Sequence, residues 1–214
     1  MSFLFNCPVG PYLGAIAPTD CPIKWDQTQK MVFGRKDATR FPNAGSFVSQ
    51  AHWQSLFNVL SDARLVITPY VSSLVVPATE VLTTGGNDNT TIDGVPEVTG
   101  VGFATVSMVL KNISAETANE IRLLGTETMI MPGVTNIEGY FLQTSDAVVY
   151  NKTATLAAYR GFDIYNLVIT DIGNEGLNSN TMYNLTFNVK GGWSQYWGYQ
   201  VLPFNPRDLE NPAS

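Results

Sequence analysis

Tyr183, Leu185, Phe187 and Val189 alternate with Asn184, Thr186 and Asn188, the pattern of a strand with one buried and one wet face. The same period of two recurs along most of the chain. It predicts strands at Thr28–Phe33, Arg64–Thr68, Val71–Val76, Thr79–Thr83, Val101–Leu110, Glu127–Met131, Ile137–Gln143, Ala147–Tyr150, Phe162–Thr170, Thr181–Lys190 and Gln195–Leu202. Only two stretches change to a helical period. Trp53, Leu56, Phe57 and Leu60 fall at i, i+3, i+4 and i+7 behind a Ser49 cap, and Ala115–Leu124 follows a Ser114 cap and stops at Gly125.

Gly34 reads as the turn after the first strand, followed by a loop running to Ser46. Gly173-Asn174-Glu175-Gly176 and Gly191-Gly192 read as hairpin spacers. Residues 1–27 carry Pro8, Pro11, Pro18 and Pro22 and are expected to form an irregular arm. The stretch 84–100, with Gly85, Gly86, Asn87 and Asp88, is expected to be a long functional loop. No regular strand–helix alternation supports a parallel sheet. The expected fold is therefore mainly β (α+β): an antiparallel β-sandwich or barrel over residues 28–214, with two short flanking helices, a long loop and an N-terminal arm.

Composition limits the chemistry. Among 214 residues there is one histidine, His52, and two cysteines, Cys7 and Cys21, which cannot close a zinc site by themselves. The cysteines read as structural thiols and His52 as a surface or capping residue. The glycine-rich stretches lack a nucleotide-binding fingerprint. No catalytic residue, cofactor or metal is expected. Paired carboxylates such as Asp163 and Asp171 would be the material for an enzyme of unfamiliar type.

Charged residues make up 14% of the chain and hydrophobic ones 44%, so much of the surface is uncharged and polar, which lowers the desolvation cost of large interfaces. A net charge of −6 argues against a protein that grips nucleic acid, although not against one that lets DNA pass. No apolar run is long enough to span a membrane, and no secretory signal is visible at the start.

Two surface features are candidates for assembly. Lys30, Arg35, Lys36 and Arg40 cluster around the first turn, as a solvated hairpin or as a contact to an acidic neighbouring subunit. Trp193, Tyr196, Trp197 and Tyr199 crowd the last strand. By alternation Trp193, Trp197 and Tyr199 share a face, which favours packing over a sugar-stacking platform.

Several segments resemble tail-tube-like structural proteins of tailed phages infecting Bacteroidetes. They are Asp20-Cys21-Pro22-Ile23, Gln29-Lys30-Met31-Val32-Phe33, the Trp53–Leu60 helix, Gly192-Trp193-Ser194 and Phe204-Asn205-Pro206. The resemblance implies a β-sandwich or barrel with a flanking helix, closed into rings, usually of six subunits, that stack through loops and arms. It implies a virion protein made in the host cytoplasm, partnered by itself and other virion proteins, with DNA passing through unbound. A capsid decoration protein or a head–tail connector would share these features. A carbohydrate-binding or adhesin-like β-sandwich using Trp193 and Trp197 is the alternative of a different kind.

Overall fold

In the computed structural model, β12 (Met182–Val189) buries Tyr183, Leu185, Phe187 and Val189 and leaves Asn184 exposed, as its alternation dictates. Described are residues 25–36, 40–86, 91, 94–129, 135–152, 159–173 and 181–212. β12 is central to sheet B, ordered β11 (Tyr165–Ile169), β12, β6 (Ala104–Lys111) and β3 (Val71–Val75). Among the described residues sheet A has seven strands. Its path is β13 (Trp197–Val201), β8 (Ala147–Lys152), β7 (Ile137–Gln143), β1 (Thr28–Arg35) and β2 (Leu65–Ile67), while β9 (Tyr159–Arg160) pairs with β8 and β10 (Phe162–Asp163) with β7. Every ladder is antiparallel.

The molecule is mainly β, with antiparallel sheets and few short helices. Sheet A is covered on both sides. Met31, Phe33, Phe141 and Val149 face sheet B in one core, while Val32, Tyr140, Leu142 and Val148 face a second core. That second core is roofed by α1 (Ala44–Phe47) and α2 (Gln50–Asn58) through Phe47, Trp53, Leu56 and Phe57. Two-sided cover explains why all seven residues of β7 are buried. α3 (Ala115–Glu127) adds Ala118 and Ile121 to the core between the sheets. Short bends carry the chain from sheet A to sheet B, from β2 to β3 across Thr68–Tyr70 and from β10 to β11 at Ile164.

Several expectations need correction. Gly34 lies inside β1, because that strand runs on to Arg35 opposite Ile137. The loop to Ser46 already contains α1, capped by Asn43. α2 ends at Asn58, so Leu60 falls beyond it and is 90% exposed. Residues 97–100 belong to a strand, β5 (Glu97–Val101), paired with β4 (Val81–Thr84), and so are not loop; 87–90 and 92–93 lie outside the described residues. Val101–Leu110 is accordingly two strands, broken at Gly102-Phe103.

Gly125 does not end the helix. A Cβ there would lie 2.4 Å from the Leu167 carbonyl oxygen, so the glycine lets α3 rest on the β11 backbone, and the helix continues to Glu127 where a strand was expected. Gly191-Gly192 carries the chain from sheet B to sheet A and is no hairpin spacer. Trp193–Tyr196 is a turn of 3-10 helix ahead of β13. Of the arm, residues 25–27 are built into the body: Trp25 packs on Phe141, and the Gln27 carbonyl accepts from the Thr144 amide. Cys7 and Cys21 lie outside the described residues.

Candidate assembly surfaces

The β4–β5 hairpin belongs to neither sheet. Its ladder pairs Val81 with Val101 and Thr84 with Glu97, with a register shift after Leu82. At its root the Gly102 amide donates to the Glu80 carbonyl at 2.8 Å, and Val101 and Gly102 lie against Gly191, where a Cβ would come within 2.7 Å of the Gly102 oxygen. All of β4 is exposed. Val81 is 58% exposed, Leu82 49%, Val95 60% and Val98 39%. Residues 79–101 contain Glu80, Asp88, Asp93 and Glu97 and no Lys or Arg, so the element is acidic as well as apolar. A two-stranded hairpin with no covered face is marginal by itself in water. Gly85 and Gly86 take positive φ after β4, at 75° and 122°, while Asn87 and Asp88 lie outside the described residues.

The outer face of sheet B is polar and uncharged over its centre. Thr105 and Ser107 of β6 stand beside Asn188 and Thr186, and the Thr105 hydroxyl donates to Asn188 Oδ1 at 2.8 Å. The outermost strands are treated differently. β11 is covered by α3, whose following residue Thr128 accepts the Leu167 amide at 2.9 Å through its hydroxyl. β2 meets the side chain of Asn211. β3 ends its sheet with a bulge at Ser73, where φ is 54°.

The basic cluster is dispersed among partners within the chain. Lys30 is 8% exposed, donates to the Arg207 carbonyl at 2.6 Å and lies 4.7 Å from the Tyr70 ring centroid. Burial lowers its pKa, against the opposing pull of Glu210 and Asp208. Arg35 binds Glu127 through two nitrogens at 2.8 Å and also binds Asp62. These hydrogen bonds raise the guanidinium pKa and hold the Glu127 carboxyl below its usual range. Lys36 pairs with Asp163 at 2.9 Å.

Arg40 is fully buried on Glu138, which also takes Arg160 Nε at 2.9 Å. The Tyr140 hydroxyl lies 3.2 Å from Glu138 Oε1 and 3.2 Å from the Tyr159 carbonyl. Burial raises the Glu138 pKa, opposed by the two arginines, and pushes that of Tyr140 well up. No local pattern in the chain points to this hub, since Arg40 and Glu138 are 98 residues apart.

Three residues of the aromatic run turn inward, while Tyr196 is exposed. Trp197 stacks on Trp25 at 5.6 Å and 30°, and Trp193 meets Trp25 and Phe162 edge-on at 6.0 and 5.4 Å. Trp193, Trp197 and Tyr199 all pack against the core between the sheets, although Trp193 reaches it from the 3-10 turn. His52 holds the Arg40 carbonyl through Nε2 at 2.8 Å, and Ser49 caps its helix at the His52 amide. Asp163 and Asp171 are each bound to a cation, Lys36 and Arg122. Among the described residues no group of three or more His, Cys, Asp or Glu could hold a metal, and no helix is long and apolar enough to cross a membrane.

The exposed apolar residues of the hairpin were not singled out by sequence. Val81-Leu82 and Val95 to Val101 around Gly85-Gly86 are a hairpin signature that the polar tip obscures. No family model and no curated protein matches the chain. One solved structure, described as "Tail of empty GTA particle computed with helical refinement, C6 symmetry", contains a chain similar to this one at 15% identity and a TM-score of 0.32, over 61% of this chain and 81% of that one. A TM-score this low does not establish a common fold.

Proposed function

We propose that this chain is a non-enzymatic virion subunit that assembles with copies of itself, as a tail tube protein does, into stacked rings around a channel that passes DNA. The observation that carries the proposal is the β4–β5 hairpin, which exposes apolar side chains and, among the described residues, pairs with no strand of either large sheet. Covering Val81, Leu82, Val95 and Val98, each about half exposed, gains roughly 1 kcal/mol apiece and about 4 kcal/mol per hairpin. Association costs at least about that much in lost translational and rotational freedom, so one contact alone leaves little net affinity. Single contacts are therefore weak, and a closed ring that makes many at once becomes stable cooperatively.

The wet face of sheet B suits a channel, because Thr, Ser and Asn neither attract phosphate nor repel it strongly. With a subunit charge of −6, assembled rings bind duplex DNA weakly at most, and physiological salt abolishes that binding. The inward packing of Trp193 and Trp197 speaks for this function over a sugar-binding platform.

Negative-stain microscopy and light scattering across protein concentration test the proposal. Rings or tubes that appear as concentration rises are expected. A monodisperse monomer at high concentration, or tryptophan fluorescence quenched by sugars, overturns it. Salt-resistant retention of DNA by the assembled protein would move the subunit to a connector that engages DNA.

A further inference from the structure

Strand β2 ends sheet A, and an uncovered end strand offers its backbone to any extended chain. Ile67 is not uncovered. Its amide donates to Asn211 Oδ1 at 3.0 Å, and its carbonyl accepts from Asn211 Nδ2 at 2.9 Å. One side-chain amide thus makes the pair of hydrogen bonds that a residue on a neighbouring strand would make.

The Asn211 amide is delivered by a clipped strap. Lys30 holds the Arg207 carbonyl at 2.6 Å, Arg207 reaches Asp146 at 2.8 Å and Gln29 at 3.1 Å, and Leu209 is fully buried in the second core. Beside β2, a groove of about 510 Å³ is lined by Val66 and by Ile121 and Leu124 of α3, with Leu209 and Asn211 of the strap on its wall.

We infer that Asn211 is an edge guard. It occupies in cis the backbone groups of Ile67 that would otherwise pair with a strand of a second copy, and so keeps sheet A out of self-association. A weaker version stands at the other end of the sheet, where Gln200 Nε2 donates to the Val201 carbonyl at 2.9 Å. The inference rests on the proposed self-assembly, in which growth by the hairpin must not compete with sheet A pairing at random.

The test uses Asn211→Ala and Asn211→Asp in the full chain and in a chain whose residues 81–101 are replaced by a Gly-Ser turn. That turn can bridge Glu80 and Gly102, which are already bonded at 2.8 Å. Hydrogen exchange and sedimentation are read together. In dilute Asn211→Ala the Ile67 amide should exchange about fivefold to tenfold faster. As concentration rises, the hairpin-less Asn211→Ala chain should associate and its β2 amides should become protected again. Asn211→Asp, which places a charge at the edge, should stay monomeric in that background. Equal association by both variants, or none by Asn211→Ala once Ile67 is open, overturns the guard. Assembly of the hairpin-less chain with Asn211 intact instead counts against the hairpin as the interface, and protection of the β2 amides in Asn211→Ala still decides the guard by itself.

Discussion

Glu138→Gln should be among the most damaging conservative changes available in this chain. The substitution keeps the shape of the side chain and removes its charge, leaving Arg40, whose side chain is 0% exposed, without its counter-ion. Breaking a buried pair by removing one partner costs about 3–5 kcal/mol. Arg40 keeps the carbonyls of Ala63, at 3.1 Å, and Arg35 as acceptors, and Arg160 is partly solvated, so the lower end applies, about 3 kcal/mol. For a chain of this size each kcal/mol lowers the melting temperature by about 2–4 °C, giving a fall of about 6–12 °C. Thermal melting followed by near-ultraviolet circular dichroism reads it directly, because Tyr140 and Tyr159 border the hub. A second substitution, Arg40→Met, should recover part of the loss, since the stranded charge goes with it. A single variant that melts within about 1 °C of the parent would refute the reasoning.

Gly125→Ala gains about 1 kcal/mol of helix propensity yet drives a Cβ to 2.4 Å from the Leu167 oxygen. A net loss of stability is expected on melting, and a gain would mean that α3 does not rest on β11. Arg35 depresses the Glu127 pKa, so the tie between β1 and the end of α3 is present above the unfolded value of 4.5 and is lost as pH falls through the lower folded value. After correction for intrinsic exchange, protection of the amides in the last turn of α3 should fall over that window, and Glu127→Gln should remove this step. Leu82→Asp together with Val98→Asp should leave the melting temperature nearly unchanged and suppress particles, as both side chains sit on an exposed hairpin; particles at the parent concentration would exclude that face.

How far the sequence can be read depends on whether a residue's role is local. β12 is legible because one face meets core and the other water, so the period of two survives intact. β1 and β7 are legible as strands, but their burial on both sides is not. It depends on α1 and α2 roofing the far face, and neither strand's own residues encode that roof. Gly125 misleads for the same reason: a glycine at the end of an apolar helix looks like a stop, while its cause is a backbone 42 residues further on in β11. The polar tip after Thr84 hides strand β5, because its Glu-Val-Thr-Gly-Val pairs with β4 and exposes Glu97, Val98 and Thr99, so no alternation of buried and wet positions marks it. Least legible are the contacts that span the chain, Arg40 with Glu138 and Ile67 with Asn211, 144 residues apart. Lys30 looks like a surface cation in the sequence and is a clamp on the C-terminal strap in the fold.

The most direct measurement is hydrogen exchange at the β4 and β5 amides as a function of protein concentration, read alongside particle size. If copies meet at the hairpin, Val81–Thr84 and Glu97–Val101 become protected in step with particle growth, while the amides of β7, already buried in the subunit, stay constant. Particles that grow while hairpin exchange stays unchanged would contradict the central claim, and so would a hairpin already protected in the dilute monomer.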